Sequence, residues 1–332
     1  MRLLHHPVLC NYYVTYKCNA KCNFCDIWEQ PSPYVTLENV AANLKDLKQL
    51  GVKIIDFTGG EPLLHQQLSK MLEMAKDQGF ITTVTTNTLL YQKRAQDLKG
   101  LIDMLHFSLD SYDQQQHDTM RGIACYDSVM KSIEMALSLG EKPDILFTAF
   151  SHNVDQIELI YQHITKPQGL VLIINPAFNY NTVDTGADFT TELLTKLRNW
   201  SNKKMVYLNS AFISLIEDGG NHINNPVCKA GSSTIVISPD NKLISPCYHL
   251  NKEQFPLTNN LYTIYRQETV QKSLKQEGKL PECEGCTINC YMQPSFAVEI
   301  NKYFWQALPS TIKYNMMKGT WKQLINKPLK IR

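Results

Sequence analysis

The run Tyr12-Tyr13-Val14-Thr15-Tyr16-Lys17-Cys18-Asn19-Ala20-Lys21-Cys22-Asn23-Phe24-Cys25 joins a β-rich segment to a loop with three cysteines in eight residues. β-Branched and aromatic residues favour extended backbone, so Tyr12–Tyr16 reads as a strand that delivers the loop at its carboxyl end. Working outward, similar runs recur at Lys53–Thr58, Ile81–Thr86, Met104–Leu109, Ile145–Phe150 and Leu170–Asn175, each followed by a helix-like stretch. Six strands alternating with helices predict parallel β/α units. In such folds the loops after the strands carry the chemistry, and the cysteines occupy the first of those loops.

The helices have readable ends. Thr36 is a candidate cap for a helix with Leu37, Val40, Leu44 and Leu47 at helical spacing, and Gly51 can end it. Segments 66–78 and 127–139 repeat the scheme, with Gly79 and Gly140 as stops. After Phe178 the rhythm changes. A polar stretch leads to a helix near Thr191–Trp200 and a strand near Met205–Leu208, and Ser233–Ile237 and Lys242–Ser245 flank a Ser-Pro-Asp-Asn turn as a hairpin. The expected organisation is a core over 1–190, a second module over 191–299 and a tail over 300–332.

Composition narrows the class. The 332 residues carry 33 Lys+Arg and 31 Asp+Glu, are 43% hydrophobic and 19% charged, and suit a globular protein rather than a disordered or fibrous one. No run approaches the roughly 18 apolar residues of a membrane span, and the first residues lack the apolar core of a secretory signal, so the expected place is the cytoplasm. Without an export signal, ten cysteines in mostly tight groups favour metal thiolates over disulfides. From Ile300 onward there are seven basic residues and no acidic one, mixed with Tyr303, Phe304, Trp305, Tyr314 and Trp321. Such a tail suits an anionic membrane surface, an acidic substrate, or simple packing with its lysines in water. No nucleic-acid reading motif accompanies it.

Three thiolates on a four-iron cluster leave one iron open, and an open position turns a structural metal site into a reactive one. The Cys18, Cys22 and Cys25 spacing resembles the CxxxCxxC motif of the radical S-adenosylmethionine (SAM) superfamily, with the aromatic Phe24 before the last cysteine. That resemblance implies a [4Fe–4S] cluster whose open iron is chelated by SAM, and reductive cleavage to a 5'-deoxyadenosyl radical that abstracts a substrate hydrogen. It makes Gly59, Gly60 and Glu61 part of a GGEP motif that receives the methionyl amine. Asn87, Ser108 and Asp110 become ribose and carboxylate contacts, and Arg121 faces the cofactor carboxylate. Between Phe147 and Asn153 the chain departs from the family, lacking the glycine that many members carry on strand five.

Cys228, Cys247, Cys283, Cys286 and Cys290 form a second group. It resembles the SPASM or shorter twitch extension, which implies one auxiliary [4Fe–4S] cluster on Cys228, Cys247, Cys283 and Cys286, with Cys290 an alternative ligand or a bystander. A structural zinc or iron site is the competing reading of these residues. Cys10 and Cys125 have no partner spacing and read as core thiols.

The resulting expectation is an α/β protein: a partial (β/α)6 TIM-like barrel followed by a small α+β SPASM/twitch-like module. By resemblance it is a radical SAM enzyme that modifies a peptide or protein, reduced by a flavodoxin- or ferredoxin-type donor. The alternatives are a lipid or small-molecule substrate at the membrane surface, with 300–332 as a peripheral contact, and a non-catalytic iron-sulfur or zinc protein. No residue is assigned as catalytic acid or base.

Overall fold

A computed structural model describes residues 2–178, 189–258 and 260–320. The first half alternates as β1 (Leu9–Thr15), α1 (Leu37–Gln49), β2 (Ile54–Gly59), α2 (Leu68–Asp77), β3 (Ile81–Thr86), α3 (Tyr91–Leu98) and β4 (Met104–Ser108). It continues through α4 (Gln114–Arg121), α5 (Tyr126–Ser138), β5 (Asp144–Ala149), α6 (Gln156–Ile160), a π-turn at Tyr161–Thr165, α7 (Lys166–Gln168) and β6 (Leu172–Pro176). The second half comprises α8 (Thr191–Ser201), β7 (Val206–Tyr207), α9 (Ser210–Glu217), α10 (Ala230–Ser233), β8 (Thr234–Ile237), β9 (Lys242–Ser245) and β10 (Glu253–Pro256). Four helices finish it: α11 (Leu261–Tyr265), α12 (Glu268–Leu274), α13 (Asn289–Ser295) and α14 (Lys302–Lys318). Most of the polar stretch after Phe178, and tail residues 321–332 including Trp321 and Lys322, lie outside the described residues.

One sheet of ten strands runs in the order β10-β9-β8-β1-β2-β3-β4-β5-β6-β7, parallel from β1 to β7. This is the partial barrel that the alternating pattern predicts, lengthened by one short strand. The hairpin does not stand apart, because β8 pairs in parallel with β1, Leu9 opposite Thr234.

Side-chain alternation divides the sheet into two faces. Tyr12, Phe57, Phe107 and Phe147 are fully buried under the helices, and Asn43 of α1 donates a 2.8 Å hydrogen bond to the Tyr12 hydroxyl. The opposite phase, which includes Asn11, Tyr13, Asp56, Thr58, Thr85, His106, Thr148 and Asn175, turns to the barrel interior. Two late helices close that interior. On the open side, α13 joins β6 and β7: the Asn289 amide donates to Asn175 Oδ1 (2.8 Å) and the Tyr207 hydroxyl to Gln293 Oε1 (2.7 Å). Its Tyr291 hydroxyl accepts from Tyr248 N at 2.9 Å.

At the amino-terminal ends of the strands lies α14. Its Tyr314 and Lys318 reach Asp144, and Lys313 donates to the carbonyls of Ser201 and Lys203. Two lysines of the tail are thus turned inward, while Trp305, Ile312 and Met316 are 60%, 50% and 65% exposed. Among the described residues, no helix is long and apolar enough to cross a membrane.

Candidate active site at the cysteine loop

The cysteine loop is gripped on both sides by backbone. Gly60 N donates to Thr15 O (3.0 Å), Glu61 N to Lys17 O (2.9 Å) and Asn23 N to Met120 O (3.1 Å). A β-carbon on Gly59 would lie 2.0 Å from Thr15 O, and one on Gly60 would lie 2.3 Å from Tyr16 O. On the far side Gly122 ends α4 at φ +64°, where a β-carbon would lie 2.2 Å from Lys21 O. The glycines therefore allow close packing of one loop on another.

Glu61 is 1% exposed and accepts from Leu63 N (3.0 Å), Thr86 Oγ1 (2.8 Å) and Asn87 N (2.8 Å). Burial pushes its carboxyl up to about 7 despite those donors. It ties the end of β2 to the end of β3 and so fixes Asn87, whose Nδ2 lies 2.8 Å from Asn19 Oδ1 and 3.9 Å from Cys18 Sγ.

Arg121 Nη2 lies 2.6 Å from Asp110 Oδ2 and Nη1 lies 3.9 Å from Cys22 Sγ, while the guanidinium sits 5.4 Å from the Phe24 ring centroid. Asp110 is held in turn by Thr148 N at 2.9 Å. Just beyond β5, the Asn153 amide bridges Asp110 O and Thr148 O, each at 2.9 Å. Ser108 is buried at the end of β4. The structure thus gathers Phe24, Gly59, Gly60, Glu61, Asn87, Asp110 and Arg121 around the three cysteines.

His117, Asp118 and Cys125 bring three ligand atoms within 4.8 Å of one another. They are already committed elsewhere. His117 Nδ1 accepts from Asp110 N (3.2 Å), and Asp118 Oδ1 accepts from the nitrogens of Cys125 and Tyr126, both at 2.8 Å, capping α5. With Nδ1 as acceptor, the neutral ring carries its proton on Nε2, facing Cys125 Sγ at 3.3 Å.

In the second module, Cys228, Cys247, Cys283 and Cys286 line one cavity of about 630 Å³ together with His249 and Glu277. Burial pushes the Cys247 thiol up to about 12 and the Cys286 thiol to about 11. Cys290 stands beside this lining, its Sγ 3.9 Å from His249 Nε2. The hub is a residue with no sequence signal, Asn221. Fully buried, it accepts from Cys228 N (3.0 Å), donates through Nδ2 to Gly278 O (2.8 Å) and Cys283 O (3.1 Å), and donates its backbone N–H to Cys286 O (3.0 Å).

Residues 12–164 match the model of the Radical SAM superfamily. That stretch is a Radical SAM domain. A probable GTP 3',8-cyclase of Methanococcus maripaludis (strain C7) is 30% identical over 167 residues, 48% of this chain and 56% of its own length, so the chain spans little more than half of that relative. Streptococcus suis SuiB bound to precursor peptide SuiA aligns with TM-score 0.66 at 16% identity, over 82% of this chain and 67% of that one. Native anSMEcpe with bound AdoMet and Kp18Cys peptide aligns with TM-score 0.61 at 17% identity, over 96% of this chain and 99% of that one. At these identities the structural likeness is one of fold.

The donor set of this Radical SAM domain fits the family's [4Fe–4S] cluster and SAM. Burial pushes the Cys18 and Cys25 thiols up to about 11 and 12, so deprotonation needs a compensating cation, which iron supplies. Two side-chain donors already aim at ligand sulfurs, and the buried Arg121 Nε has no hydrogen-bond partner among the described residues. Sequence reasoning missed Asn19, Asn153 and the interior residues Asp56 and His106. Only strand alternation, once the strands are known, could have pointed to the last two.

Proposed function

We propose that the chain is a radical SAM enzyme acting on a peptide or protein, with the radical cluster on Cys18, Cys22 and Cys25 and an auxiliary [4Fe–4S] cluster on Cys228, Cys247, Cys283 and Cys286. When bound and reduced, cluster and SAM together supply a 5'-deoxyadenosyl radical that removes a hydrogen atom from substrate. The chain's own residues do the rest. Gly59, Gly60 and Gly122 hold the cysteine loop against its neighbours. Glu61 fixes the rim of β2 and β3, and α13 and α14 wall the interior and limit access of water.

The observation that carries the substrate class is the chemistry of the inner face. Above the floor, where Lys318 meets Asp144, its strand residues Asn11, Tyr13, Asp56, Thr58, Thr85, His106, Thr148 and Asn175 offer amides, hydroxyls and a carboxylate, with no lysine or arginine among these eight. A nucleoside triphosphate calls for cationic forks or a metal, whereas amide, hydroxyl and carboxylate groups suit a polypeptide. Two structural neighbours hold peptides and agree with that choice. Within the described part of the tail, Lys313 and Lys318 of α14 are engaged by protein oxygens at the end of the barrel opposite the cysteine loop, which supports the peptide reading over a lipid one.

The test is anaerobic incubation of iron-replete protein with SAM and dithionite, followed by chromatography for 5'-deoxyadenosine. Formation by the wild type and loss in Cys18→Ala, Cys22→Ala and Cys25→Ala are expected. A wild-type protein that binds iron yet yields no nucleoside ends the proposal. A flavodoxin- or ferredoxin-type protein should replace dithionite as donor.

A further inference from the structure

We propose that Arg121 and Asn87 are positioning residues for the sulfurs of the radical site, and that they set the potential at which this site takes up an electron. The inference rests on the functional reading above and goes beyond it, from what the site holds to what tunes it.

Both side chains are locked before any cofactor is considered. Asp110, fully buried, anchors Arg121 Nη2 at 2.6 Å, and the Phe24 ring lies alongside the guanidinium. This leaves Nη1 directed at Cys22 Sγ at 3.9 Å. Asn87 Oδ1 accepts from Leu89 N at 3.2 Å, which fixes the amide orientation and turns Nδ2 toward Asn19 Oδ1 and Cys18 Sγ. Ala20 N adds a second donor to Cys18 Sγ at 3.4 Å. Two of the three sulfurs therefore receive side-chain N–H groups, brought from the loop after β3 and the last turn of α4.

The sign follows from charge. One electron entering a [4Fe–4S]2+ cluster lowers its net charge by one unit, and no bond to carbon forms or breaks. Donors and a nearby cation stabilise the more negative state, more strongly where the surroundings are dry. Asp110 occupies Nη2 and leaves Nη1 to face Cys22, so the sulfur meets an N–H of the cation and not the carboxylate that anchors it. Removing either N–H donor should make reduction harder.

The experiment is a redox titration of the radical cluster by EPR without SAM, using full-length protein whose auxiliary ligands carry Cys283→Ala and Cys286→Ala so that one signal remains. Arg121→Met should move the midpoint to more negative potential by about a tenfold fall in the reduced-to-oxidised ratio, equal to about 59 mV for a one-electron couple. Arg121→Lys should fall between wild type and Met, and Asn87→Ala should shift in the same direction by less. An Arg121→Met protein with wild-type iron and sulfide and an unmoved midpoint overturns the inference. If Arg121→Met does not load iron, Arg121→Lys and Asn87→Ala decide: a negative shift in either supports the inference, and unmoved midpoints in both overturn it. A parent protein that shows no reducible cluster signal fails the functional reading instead, which separates the two results.

Discussion

Tyr314 of α14 donates a 2.7 Å hydrogen bond to Asp144, the first residue of β5, 170 positions earlier in the chain. Lys318 Nζ lies 2.9 Å from the other oxygen of that carboxylate, and His106 Nε2 lies 3.6 Å from the first. The tail is thus fastened to the barrel by a buried acid. Asp144→Ala strands a lysine side chain that is 9% exposed and should cost about 3–5 kcal/mol. Tyr314→Phe leaves the ion pair in place and should cost about 1 kcal/mol. Urea unfolding of the two variants checks the ranking, and equal losses would contradict it.

Asp56 gives a pH signature. Burial pushes its carboxyl up to about 7, against about 3.9 in an unfolded chain. Between those values the native state keeps a proton that the unfolded state has lost, so this group's contribution to stability falls as pH rises through the window, by at most about 1.4 kcal/mol per pH unit. Asp56→Asn should flatten that part of the profile and leave the variant more stable than wild type at pH 8. Thermal midpoints from pH 4 to 8 that run parallel in the two proteins would count against it.

Gly60 and Gly122 should be intolerant of even one carbon. Gly60→Ala places its methyl 2.3 Å from Tyr16 O, and Gly122→Ala adds a left-handed backbone to a 2.2 Å clash with Lys21 O. Both variants should retain less iron at the radical site than wild type, Gly122→Ala the least, as read by iron and sulfide analysis after anaerobic reconstitution. Gly140→Ala, with nothing within 4 Å of its added carbon, is the control.

Asn221→Ala should release the segments that carry Cys228, Cys283 and Cys286. If two clusters are present, the variant should lose about half of its iron and keep SAM-responsive EPR at the radical site. Full iron retention would show that the thiolates assemble without this hub.

What the sequence disclosed was whatever depends on neighbours in the chain. Thr36 caps its helix by accepting from Asn39 N at 3.3 Å, and the cysteine loop follows β1 as its spacing indicates. The strands of the sheet were legible because β-branched and aromatic runs recur between helix-like stretches. Contacts between distant segments were not: Asn221, Asn153 and the α13 bridge to β6 and β7 are polar side chains whose meaning lies in partners far along the chain. The basic tail shows the same limit, since a lysine bound for a buried carboxylate looks in sequence like one bound for water. Nor could a Gly-Gly pair reveal whether its empty space would be filled by ligand or by another loop's carbonyl.

The parallel pairing of β8 with β1 bears on any attempt to dissect the protein. A fragment ending near residue 190 would expose the flank of β1 as a raw template for intermolecular strand addition, and would strip away the aromatic cover that Tyr248 gives Tyr13 at 4.5 Å. Such a fragment should precipitate or self-associate.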